Sequence, residues 1–132
     1  MWTIIAGIFL VLHGMIHLLY AGQSARIFEL RPGMVWPDGS WLFSKLLDDD
    51  SARLLTTILL VLSALAFVAA GFGLFFRQEW WQPTAVGAAS FSSLIFILFW
   101  DVRFQALDAK GAVGILINLV VLFAVLILKF QP

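Results

Sequence analysis

Hydrophobic residues fill four long stretches of this 132-residue chain, and polar residues are gathered between them. The apolar stretches run over about 3–22, 52–76, 83–100 and 111–128. A helix needs roughly 20 mostly apolar residues to cross the hydrocarbon core of a bilayer. The pattern therefore predicts an all-α fold, a four-helix transmembrane bundle with a long structured loop over about 23–51 between helices 1 and 2.

Composition supports a membrane protein and removes several function classes. Hydrophobic residues make up 62% of the chain and charged residues 12%, against about 25% charged in soluble domains. The length predicts one integral membrane domain, 1–132, with the lipid bilayer as its first partner. The net charge of zero argues against nucleic acid as a partner. The absence of cysteine excludes disulfides, thiolate chemistry and Cys-ligated metal centres.

Aromatic and basic residues predict how the chain sits in the membrane. One interface is expected at Trp2, Trp80 and Trp81, and the other near Tyr20, Trp36, Trp41 and Trp100. Six of the eight basic residues fall on the side of the long loop, so the positive-inside rule predicts cytoplasmic long loops. Within that loop, the residues from Ser40 to Leu47 predict either a short amphipathic helix or an interfacial loop anchored by tryptophans.

The first helix carries the only two histidines, His13 and His17. On a helical wheel the bulky aliphatic residues occupy one broad face, which is expected to meet lipid. The opposite arc holds smaller and polar residues, which let another helix approach closely. Its members are Ala6, Gly7, Leu10, His13, Gly14, His17, Tyr20 and Ala21. Both histidines are therefore predicted to face protein.

Depth in the membrane places further polar residues beside the histidines. At 1.5 Å per residue, His13, Ser93 and Asn118 lie roughly 10–13 Å from the helix ends nearest the long loops, and His17 roughly 6 Å. We therefore predict an intramembrane polar pocket that opens toward the long loops. Its predicted ligand-binding residues are His13, His17, Asn118, Ser93 and Tyr20.

Polar residues inside a membrane are functional candidates, and the pocket suits a small amphipathic ligand, quinone-like or lipid-like, or a partner subunit. Under this hypothesis the chain is an accessory or binding protein and more an interaction protein than an enzyme. No cofactor is predicted, and catalytic residues are unknown. In the alternative, a redox, metal-dependent or haem-dependent enzyme uses His13 and His17 as ligands.

The metal alternative lacks parts that the sequence would need to supply. "HGMIH" has no glutamate at the position of the H-E-x-x-H general base, so metalloprotease chemistry lacks its base. No carboxylate is expected at the depth of the histidines to complete a ligand set, so we predict no metal site. Two histidines on one helix cannot reach opposite faces of a haem, which leaves ligation by one histidine or sharing between protomers of a homo-oligomer. In a third hypothesis the polar residues serve only helix packing.

The order of features resembles one family. A first helix with glycine and histidine precedes a long loop with tryptophans, the tight turn "GFGLFFRQEWWQP" and a serine-rich third helix. This arrangement resembles the DoxX-like small bacterial membrane proteins. The resemblance implies a multi-pass protein of the bacterial plasma membrane, acting as an accessory or quinone-associated subunit.

Overall fold

The computed structural model describes residues 1–102 and 111–127, and all regular structure in those residues is helical. Helix α1 spans Trp2–Ser24, α2 spans Asp49–Phe75, and α3 spans Trp81–Leu98. Helix α4 spans Ala112–Leu122 and continues as a π-helical turn over Phe123–Ile127. The predicted all-α fold of four helices is confirmed. The predicted end of helix 4, residue 128, lies outside the described residues.

Three of the helices are long and apolar enough to cross a membrane, which indicates a membrane protein. They are α1, α2 and α3, with 23, 27 and 18 residues. The described part of α4 is also apolar but shorter. In chain order each helix packs against the next one.

The predicted orientation of α1 is confirmed. His13 and His17 are only 2% and 1% exposed, whereas the aliphatic residues of the opposite face are largely exposed. The helix is apolar nearly all round, so its orientation follows from residue size: the small residues allow α2 to come close.

Glycines set the closest approach of α1 and α2. A Cβ at Gly14 would lie 2.9 Å from the carbonyl oxygen of Ala64 on α2. A Cβ at Gly71 would lie 2.6 Å from Cγ2 of Val11 and 2.9 Å from the carbonyl oxygen of Gly7. The two backbones therefore touch at positions where only glycine fits without displacement.

The long loop is held against the helix ends by hydrogen bonds on two sides. On the α1 side, the buried Gln23 side chain donates to the carbonyl of Met34 and accepts from the N–H of Leu30. On the α3 side, Ser40 Oγ donates to the Leu98 carbonyl and Trp41 Nε1 to the Ile97 carbonyl. These donors reach carbonyls of the last turn of α3, which have no partner within the helix.

A charge cluster fastens the loop to α2. Arg53 donates from Nε to Asp38 Oδ1 over 2.8 Å and from Nη2 to Oδ2, and Arg26 Nη2 lies 3.1 Å from Asp38 Oδ1. Burial acts to raise the pKa of Asp38, but the hydrogen bonds and charges of the two arginines outweigh it and lower this pKa below its usual value. Asp38 is therefore the ionic anchor of the loop.

The structure bears on the two possibilities for residues 40–47 and on two tryptophans. The amphipathic helix is limited to a 3-10 turn over Phe43–Lys45, and Ser40 and Trp41 before it bond to α3. Trp36 and Trp81, which the sequence predicts near the two interfaces, are buried within the protein, at 4% and 7% exposure. Trp36 packs on Tyr20 and Phe96, and Trp81 belongs to the apolar core.

Candidate functional site

Four helices contribute to one buried cluster around the histidines, and it contains most of the predicted site. His13 Nε2 lies 2.7 Å from Asn118 Oδ1, which joins α1 to α4. Asn118 Nδ2 donates to Ser92 Oγ over 3.0 Å and to Ser93 Oγ over 3.1 Å, which joins α4 to α3. Residues 105 positions apart in the chain thus meet directly.

His17 closes this set of hydrogen bonds into a ring. Its Nε2 lies 2.5 Å from Ser92 Oγ, and its Nδ1 lies 2.8 Å from the carbonyl oxygen of His13, one turn earlier on α1. The path therefore runs from His13 to Asn118, to Ser92, to His17 and back to the backbone of His13. We call these residues together with Ser93 the polar ring.

Helix α2 covers the polar ring with an aromatic side chain. Phe67 is fully buried, and its centroid lies 4.7 Å from the ring of His13 and 5.1 Å from that of His17. Phe9 also stacks on His13, with 6.2 Å between the ring centroids. The hydrogen bonds therefore lie in apolar surroundings, where each is stronger and each unmet group is costlier than in water.

Ser92 is the member that sequence reasoning missed. It is fully buried and contacts both His17 and Asn118, whereas the predicted Ser93 is only half-buried and contacts Asn118. The sequence prediction follows a stripe of small residues at four-residue spacing, through Ala85 and Ala89, which includes Ser93 and omits Ser92. Alternating steps of three and four through Ala85, Ala88 and Ser92 follow the buried face and would have found it.

Tyr20, the remaining predicted residue, belongs to a neighbouring cluster. Its ring packs edge-to-face on Trp36 at 5.6 Å and on Phe96 at 5.0 Å, and its hydroxyl interacts with the backbone of Gly111. Phe96 in turn lies 6.0 Å from His17. Tyr20, Phe96 and the loop residue Trp36 thus form an aromatic layer on the long-loop side of the polar ring.

A cavity adjoins the polar ring on the side away from the long loop. It is an apolar cleft of about 200 Å³ between α1 and α4, closed on the inside by α2 and α3. The lining residues are Ala6, Phe9, Leu10, Leu74, Trp81, Val120, Val121, Ala124 and Val125. Leu10 and Val121 are each three residues, or about 4.5 Å along the helix, from His13 and Asn118.

This geometry differs from the open polar pocket that the sequence suggested. The polar side chains bond to one another, while the aromatic layer covers them toward the loop and the neighbouring cleft is apolar. A second cavity, about 400 Å³, lies at the loop-side ends of α1 and α2. Its arginines, Arg26 and Arg53, already pair with Asp38, so we assign no site to it.

One polar atom of the ring is left over. Nδ1 of His13 is buried and has no hydrogen-bond partner within the described residues. Both nitrogens of His17 are engaged, so Nδ1 of His13 is the ring nitrogen that remains for a ligand or a metal. Residues 1–102 and 111–127 bring together no group of three or more metal-ligating side chains. The metal and haem alternative stays a prediction.

Comparisons with protein-family models, with curated proteins and with solved structures found no match.

Proposed function

We propose that this chain is an accessory or binding protein of the bacterial plasma membrane. It is DoxX-like, with its four helices forming a transmembrane bundle and its long loop on the cytoplasmic side, and it binds a small amphipathic molecule. The ligand occupies the apolar cleft between α1 and α4 and turns its polar end toward His13. The observation that carries this proposal is a buried histidine nitrogen that has no hydrogen-bond partner in residues 1–102 and 111–127 and lies one helical turn from an apolar cavity.

Size supports a ligand with a ring or a short chain. A dry apolar cavity of about 150 Å³ holds a benzene molecule in an engineered protein. The cleft here is about 200 Å³, which leaves room for such a ring and a few further carbon atoms. A longer tail would extend into the bilayer.

Access from lipid supports the same proposal. Val120, which lines the cleft, is 62% exposed, and Phe9 is also exposed. Among the described residues, the closely packed helix pairs are α1 with α2, α2 with α3 and α3 with α4, so the α1–α4 seam that holds the cleft is looser than these three. A molecule dissolved in the bilayer can therefore reach it without opening the long loop.

A cleft-filling substitution tests the proposal. We expect 4-propylphenol, its methyl ether 4-propylanisole, or both to bind saturably to the protein in lipid nanodiscs, above partition into empty nanodiscs. Ala6→Leu fills the cleft and should abolish this binding. Ala69→Leu adds the same volume at another half-buried alanine, on α2 outside the lining, and should leave binding intact. Saturable binding of neither compound, or equal binding by the wild type and Ala6→Leu, would overturn the proposal.

A further inference from the structure

We infer that the ligand presents a hydrogen-bond donor, such as a hydroxyl group, and that this group donates to Nδ1 of His13. The inference rests on the proposed function and specifies its ligand class: an apolar body with an O–H or N–H at the end that enters deepest. The positions of the protons in the polar ring support it.

His17 fixes the first of these protons. Its Nδ1 faces the carbonyl oxygen of His13, which can only accept, so Nδ1 carries a proton. A second ring proton would make His17 a cation inside the membrane, where an uncompensated charge is costly, and no carboxylate belongs to the polar ring. His17 is therefore neutral, and its bare Nε2 accepts from the hydroxyl of Ser92.

The direction of the next bonds follows from that proton. Ser92 has one hydroxyl proton and donates it to His17, so its oxygen can only accept from Asn118. The Asn118 atom that faces Ser92 and Ser93 is therefore the NH₂ group. The atom that faces His13 is the Asn118 carbonyl oxygen, which can only accept.

His13 must then donate from Nε2 to Asn118. In a neutral imidazole the other nitrogen is bare, so Nδ1 of His13 presents a lone pair and no proton. The opposite amide orientation would leave two lone pairs facing each other at Ser92 and either His17 or Asn118. The polar ring thus leaves an acceptor unsatisfied, which selects a ligand that donates.

Neither water nor a metal ion satisfies this acceptor as well as an organic donor. A buried water needs two to four polar partners, and the residues that line the adjacent cleft are apolar. A metal ion needs several ligands, and the described residues group no three metal-ligating side chains. An amphipathic molecule needs one polar contact and apolar walls.

Two probes that differ by a donor test the inference. In 4-propylanisole a methyl group replaces the hydroxyl proton of 4-propylphenol, while the ring and chain are unchanged. After correction for partition into empty nanodiscs, we expect the phenol to bind about 2–10-fold more tightly, the range of one neutral hydrogen bond. His13→Phe keeps an aromatic ring without the acceptor and should remove this preference.

A second measurement uses the wild-type protein and needs no folded variant. Because the chain has two histidines, ¹⁵N-histidine labelling gives four ring-nitrogen signals that NMR can sort into protonated and bare. We expect His13 to be bare at Nδ1 and His17 bare at Nε2, with the His13 Nδ1 signal shifting when 4-propylphenol is added.

The outcomes distinguish the inference from the proposed function. A protonated Nδ1 in His13, or equal affinities for the phenol and the ether, overturns the inference while the proposed function stands. Saturable binding of neither probe overturns the proposed function itself. A preference for the phenol that persists in His13→Phe also overturns the inference, because the donor would then be recognised elsewhere.

Discussion

The polar ring predicts a graded loss of stability when its members are removed one at a time. Asn118 takes part in three of its hydrogen bonds, Ser92 in two and Ser93 in one. Ser90 lies on α3, as Ser92 and Ser93 do, but it is exposed and outside the polar ring, so Ser90→Ala is the matched control. The substitutions to compare are Asn118→Leu, Ser92→Ala, Ser93→Ala and Ser90→Ala.

Hydrogen bonds between membrane helices contribute about 0.6 kcal/mol each on average. We therefore expect losses in the free energy of unfolding of about 1.8 kcal/mol for Asn118→Leu, about 1.2 for Ser92→Ala and about 0.6 for Ser93→Ala. The Ser90→Ala change should be close to zero. The loss for Asn118→Leu should be larger than this if the His13 N–H, left buried without an acceptor, finds no new partner.

The assay is equilibrium unfolding in mixed micelles with increasing SDS, followed by circular dichroism. Only the order of the four variants is needed, so a systematic error in the extrapolated free energies does not affect the test. If Ser92→Ala costs no more than Ser90→Ala, the polar ring does not hold the helices together and the reasoning fails. If Ser93→Ala costs more than Ser92→Ala, the assigned rotation of α3 is wrong.

Two further predictions concern the helix seam and the loop. Gly71→Ala places a methyl group 2.6 Å from Val11 and should destabilise the protein by about 1–3 kcal/mol. The control Gly87→Ala meets open space and should stabilise the protein by up to about 1 kcal/mol through helix propensity. Equal melting temperatures of the two variants would contradict the close α1–α2 contact. Because the pKa of Asp38 is lowered in the folded protein, its ionic anchor should be complete above the usual aspartate pKa near 4 and lost as the pH falls through the lower folded value. Limited proteolysis of the long loop should accordingly increase with acidification in the wild type. In Asp38→Asn the loop should be cleaved faster than in the wild type and at a rate that hardly depends on pH. A wild-type loop that is cleaved equally at all pH values would refute the anchor.

Part of the candidate site was predictable because it depends on one helix at a time. The inward face of α1 follows from the sizes of its residues, since small residues are those that permit close helix contact in lipid. Depth follows from a constant rise per residue, which is why His13, Ser93 and Asn118 were placed at a common level and are found together.

The prediction failed where the rotation or path of one element relative to another decides the contact. The small residues of α3 fit two stripes, one through Ser92 and one through Ser93, which differ by about 100° around the helix. The contacts of α3 with α1 and α4 select Ser92 as the residue that both His17 and Asn118 bond. Trp81 has the sequence context of an exposed interfacial anchor, but the fold buries it in the apolar core at the start of α3.

The sequence by itself determined that this is a membrane protein of four apolar helices and that its two histidines turn away from lipid. These properties are local, because the bilayer acts as a solvent on each segment separately and requires every helix to satisfy its own backbone. Only the tertiary structure decided that the polar groups bond to one another, that the cavity beside them is apolar, and that Nδ1 of His13 is buried without a partner among the described residues. Those features depend on hydrogen bonds and packing between residues far apart in the chain, whose mutual geometry no single helix fixes.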